Sequence, residues 1–155
     1  MWNSKRSAGV SAAVCFVFAV ILTAGLFLGP WAAKMWLCYY RGMPEDSAVV
    51  ARMIKLFVIC FYPCAIFAYV TLYSLIRMLW NIRKDAIFIP KNVRYLRRIS
   101  WCCIAVAVIS FVCGIQYIPY LFISVAAGFV GLMLRVVKNV METAVELKAE
   151  NELTI

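Results

Sequence analysis

The chain has 155 residues, 66% of them apolar and only 15% charged, with a net charge of +9. Soluble domains carry about 45–50% apolar and about 25% charged residues, and disordered chains are poorer still in apolar side chains, so both classes are excluded. The length fits one domain, and the absence of histidine removes the commonest neutral-pH proton carrier and metal ligand.

The first predicted element follows Lys5 and Arg6, where residues 7–33 carry no charge. A helix needs about 20 apolar residues to cross a bilayer, so a crossing is expected over 9–33. The stretch exceeds the roughly 7–15 apolar residues of a cleaved leader and is read as a retained helix. Gly25-Leu-Phe-Leu-Gly29 has the small-residue spacing that lets helices approach closely, within one chain or in a homo-oligomer. In the following connection, Trp36, Tyr39 and Tyr40 read as interfacial anchors.

The second crossing is expected over 54–77, around the uncharged stretch 56–76. Cys60 and Cys64 share one helix face there. A thiol relay typically uses Cys-x-x-Cys, and a metal needs more than two ligands. The pair therefore reads as small buried side chains. All seven cysteines except Cys38 lie in apolar stretches, and such an odd, unclustered set is no disulfide framework.

A basic connection is expected over 78–97. Pro90 suits the first turn of the next helix, and Phe88 and Val93 are spaced like a hydrophobic staple. Lys91, Arg94 and Arg98 form one stripe, with Arg97 beside it. Such a stripe is a collar on anionic lipid and offers a docking face for an acidic partner.

Residues 99–134 are again uncharged. As one helix they would extend about 54 Å, far beyond the hydrocarbon core of about 30 Å. Two crossings, 98–117 and 120–141, fit better, joined at Pro119 with Tyr117 and Tyr120 at the interface. Beyond them, Glu142, Glu146 and Glu150 repeat at helical spacing beside an apolar stripe. The fourth helix should therefore project as a stalk whose acidic face can brace the basic connection, with 142–155 as a helical tail.

With four crossings, twelve of the 16 Lys and Arg residues fall on the side of the termini and the 78–97 connection, which the positive-inside rule makes cytoplasmic. That distribution explains the basic charge without nucleic acid, for which no recognition fold is visible. No Asp or Glu falls within a predicted crossing, which disfavours cation-coupled exchange through an intramembrane carboxylate.

Two segments carry a family resemblance: Phe88-Ile89-Pro90-Lys91-Asn92-Val93-Arg94-Tyr95-Leu96-Arg97-Arg98-Ile99 and Glu146-Leu147-Lys148-Ala149-Glu150-Asn151-Glu152-Leu153-Thr154-Ile155. With the helix layout, they resemble domain-of-unknown-function family 2975, small bacterial four-helix membrane proteins. The resemblance implies no catalytic residues. It implies a gene context beside a small cytoplasmic regulator of the Cro/repressor helix-turn-helix type.

The expectation is an all-α membrane protein, a single integral domain over 1–155 with four transmembrane helices and both termini cytoplasmic, in the bacterial cytoplasmic membrane. The expected function is non-enzymatic tethering of a small DNA-binding regulator, with no cofactor or metal. Contacts are expected at Phe88, Pro90, Asn92, Arg94, Leu96 and Arg97, and at Glu150, Asn151, Leu153, Thr154 and Ile155 of the tail. The expected partners are the lipid bilayer, that regulator and a second copy of the chain, with no direct nucleic-acid contact. Two alternatives stand beside it: a transporter or channel subunit, from the glycines that permit close packing, and a membrane enzyme using Cys60 and Cys64.

Overall fold

The computed structural model describes residues 4–84 and 86–153. They form four helices: α1 (Ser4–Arg41), α2 (Ala48–Arg83), α3 (Pro90–Gly114) and α4 (Pro119–Leu153). All four are long and apolar enough to cross a membrane, so the chain is an all-helical, multi-pass membrane protein.

The helices outrun the predicted crossings. α1 has 38 residues and α4 has 35, or about 57 and 52 Å at 1.5 Å per residue. Once an apolar segment has nucleated a helix, each further residue adds a hydrogen bond at little cost. The helices therefore run on until a residue stops them. α1 ends at Gly42, whose φ of 60° suits glycine better than any residue with a Cβ. The connection expected over 78–97 is helical over 78–83, as the end of α2, and over 90–97, as the start of α3. α3, expected to reach 117, stops at Gly114, and residues 115–118 turn tightly, with the Tyr117 N–H on the Cys113 carbonyl at 3.2 Å.

Each helix packs antiparallel on its chain neighbour, and among the described residues α1 and α4 do not approach one another. α3 lies between α2 and α4 and is the most enclosed. Large apolar side chains such as Phe16, Phe27 and Phe122 point outward, which costs nothing where the surroundings are lipid tails.

Between α1 and α2, the glycine spacing accepts aromatic rings. A Cβ on Gly25 would lie 3.2 Å from Phe61, and one on Gly29 would lie 3.3 Å from Phe57; the two rings stack at 5.1 Å. The small-residue face is thus filled within the chain. Pro30 sits inside α1 and has no N–H to give the carbonyl four residues before it. That carbonyl, Leu26 O, accepts instead from the Tyr62 hydroxyl of α2 at 3.0 Å. An unsatisfied carbonyl in hydrocarbon is costly, so the tyrosine repairs what the proline removes. Replacing Tyr62→Phe should lower stability by about 1 kcal/mol, the scale of interhelical hydrogen bonds in membranes, as measured by denaturant titration in mixed micelles. An unchanged midpoint would mean that the Leu26 carbonyl is satisfied without the hydroxyl.

Between α3 and α4, two serines bond across the interface rather than back to their own helix. Ser100 Oγ donates to Gly131 O at 2.8 Å, and Ser124 Oγ donates to Ala107 O at 2.7 Å. Both serines are buried. Gly131 permits the approach, since a Cβ there would meet Ile104, Cys103 and the Ser100 carbonyl at 3.1–3.3 Å.

Candidate functional site

The antiparallel order brings the α2 C-terminus, the α3 N-terminus and the α4 C-terminus to one basic end. The 84–89 connection there is tied down from within. The Lys84 and Ala86 N–H groups donate to Asn81 O at 3.1 and 3.0 Å, and the Asn92 N–H donates to Ile89 O at 3.0 Å. Ile89 caps α3 in an extended conformation without a side-chain bond, and Pro90 opens the helix.

Asn92 is the pin. Its side chain is fully buried. Its Nδ2 donates to Ala86 O at 3.0 Å and Ile87 O at 2.8 Å, while its Oδ1 accepts from Asn81 Nδ2 at 2.8 Å. One amide therefore joins α2, the connection and α3. Leu96, one turn on, is also buried. These two expected contact residues face the helix packing and do not reach the surface. Phe88, Pro90, Arg94 and Arg97 are exposed, and Phe88 keeps nearly half of its surface open, at 47%, while Val93 is buried. Lys91 and Arg98 are exposed beside Arg94.

The stalk does brace the basic end, through Glu142. Arg97 Nη2 donates to Glu142 Oε1 at 3.1 Å, and Lys138 Nζ reaches Glu142 Oε2 at 2.5 Å. Lys138 first, and Arg97 after it, hold the Glu142 carboxyl below its ordinary value of 4.5. A depressed carboxyl contributes its pairing above the ordinary value and loses it as pH falls through the lowered one. A carbon-13 titration of Glu142 should therefore have its midpoint below 4.5, and Lys138→Gln should move that midpoint back up; no movement would place the cause elsewhere. Glu150 and Asn151 are exposed on the last turns of α4, and Thr154 and Ile155 lie outside the described residues, as does Asp85. Leu153 ends the helix.

Aromatic rings carry three more cations at this end. Arg77 lies over Tyr73 at 5.7 Å, Lys84 over Trp80 at 5.9 Å and Arg135 over Trp101 at 5.1 Å. At the opposite end, Lys34 pairs with Glu45 at 3.3 Å, Arg52 donates to Gln116 at 3.4 Å and Arg41 lies over Trp36 at 6.0 Å.

In the membrane, the Cys60 and Cys64 thiols have a neighbour that the sequence did not pair with them: Cys113 of α3, with Ser110 beside it. Among the described residues, no group of three or more His, Cys, Asp or Glu side chains is placed to hold a metal. The helical period could have located Asn92, since 92, 96, 99 and 103 fall on one face of α3. Nothing in spacing along one helix could have found Cys113.

The family described as protein of unknown function (DUF2975) matches residues 32–155, from the last turns of α1 through the tail. No curated protein matches the chain, and no solved structure matches it.

Proposed function

The chain belongs to the DUF2975 family, and on that premise we propose that it is a non-enzymatic membrane regulator that tethers a small helix-turn-helix DNA-binding protein at its basic, cytoplasmic end. The observation that carries this reading is the pinned 84–89 connection. Asn92 holds three groups of the surrounding chain. It thereby fixes an exposed aromatic, Phe88, next to the exposed cations Lys91, Arg94 and Arg98. A rigid display of that kind suits a partner with an acidic, apolar face, because little ordering entropy is lost on docking. The stalk adds a second contact from the same end.

Arg97 and Arg94 have different duties in this reading. Arg97 is engaged by Glu142, so charge reversal there would also disturb the brace. Lys91→Glu with Arg94→Glu tests the docking face while leaving the brace in place. A fluorescent helix-turn-helix partner co-expressed with the intact chain should gather at the membrane and disperse with the double variant. Membrane localisation unchanged by the double variant would overturn this docking face.

A further inference from the structure

The basic end also holds a cavity of about 240 Å³ between α3 and α4, lined by Arg97, Ser100, Trp101, Arg135 and Lys138. We propose that this cavity binds the phosphodiester of an anionic phospholipid.

Three cations line the cavity, and Glu142 is the carboxylate that meets two of them. Among the described residues, Arg135 meets the Trp101 ring and no carboxylate. The site therefore keeps two net positive charges and can accept one anion without loss of its internal pair. The Ser100 hydroxyl is committed to the Gly131 carbonyl, so the donors that remain are guanidinium and ammonium groups. Arginine forks match phosphate oxygens in geometry, and lysine supplies a point charge.

The depth of the cavity selects lipid as the source of the phosphate. Arg98 and Arg135 bracket the uncharged residues 99–134, so the cavity sits where the apolar walls begin. Trp101 is exposed beside it, and tryptophan settles at headgroup level. Leu132, one helical turn from Arg135 towards the membrane centre and 60% exposed, continues from it as an apolar surface for acyl chains. Basic pockets between transmembrane helices are a known form of headgroup site.

The test uses the purified full chain in neutral detergent, which removes the surface potential of a membrane. Short-chain phosphatidylglycerol, short-chain phosphatidylcholine and inorganic phosphate are titrated separately, with binding read by native mass spectrometry. Phosphatidylglycerol should bind at least about tenfold more tightly than the zwitterionic lipid. Arg135→Gln with Lys138→Gln should weaken it about 30-fold, the loss of two basic contacts. Arg83→Gln with Lys84→Gln removes the same charge from exposed positions outside the cavity and should weaken it less than about threefold. Glu142→Gln releases Arg97 and Lys138 and should tighten binding about fivefold, which keeps a reading if the double variant does not fold. Equal binding of both lipids, equal losses in the two double variants, or no gain with Glu142→Gln would overturn the site. Inorganic phosphate binding as tightly as phosphatidylglycerol would overturn the lipid as its source.

Discussion

Replacing Asn92→Ala should cost about 2–3 kcal/mol and open the 84–89 connection to protease. The substitution removes two donated hydrogen bonds and one accepted bond, each worth about 1 kcal/mol net and more where a partner stays buried and unpaired. The partners differ in what they can recover. The Ala86 carbonyl and Asn81 amide belong to partly buried residues, whereas Ile87 is exposed and can return to water. For this reason the effect should stay below the sum of three full desolvation penalties. Trypsin should then cut after Arg83 or Lys84 in the variant, at a concentration that spares the parent chain. Unchanged stability with unchanged cleavage would mean that the connection is held by its backbone bonds alone.

The second large effect is expected at the opposite end, where α3 turns into α4. A Cβ on Gly114 would lie 2.7 Å from Leu121 Cδ2 and 2.9 Å from the Leu121 backbone nitrogen. A side chain can swing aside, but the nitrogen cannot. Its N–H donates to Ile118 O at 2.9 Å and so fixes the turn. Gly114→Ala should therefore shift α4 against α3 and cost about 2–3 kcal/mol, the range of overpacked sites. Gly128→Ala is the matched control, since a Cβ there would lie 3.6 Å from Ala107, an ordinary contact. Denaturant titration in mixed micelles should separate the two glycines clearly. Equal effects would mean that the turn relaxes around the added methyl.

The four crossings were legible because lipid excludes charge, and the gaps 7–33, 56–76 and 99–134 record that exclusion directly. Pro119 marked the turn within the longest gap, and α4 begins there. What the gaps could not give was the helix ends, because helix propagation does not stop at the membrane surface. Nor could they give neighbours. Cys113 joins Cys60 and Cys64, and Ser100 reaches across to α4 while Ser124 reaches across to α3, all through tertiary packing that no single-helix period encodes. Asn92 was half legible. Its basic surroundings suggested a surface residue, whereas its period, shared with Leu96 and Ile99, placed it on the buried face. The cavity of Arg97, Arg135 and Lys138 combines residues from two helices and became visible only once α3 and α4 were packed.

Function depends most on whether the basic end holds a DNA-binding protein at the membrane. The most direct test is a crosslinked pull-down of the tagged full chain from its native membranes, with deletion of 149–155 in parallel and insertion checked for both. Capture of a small helix-turn-helix protein by the intact chain, lost on deletion of the tail, is the expected result. Recovery of membrane subunits alone, or of the same DNA-binding protein with and without the tail, would contradict tethering through this end.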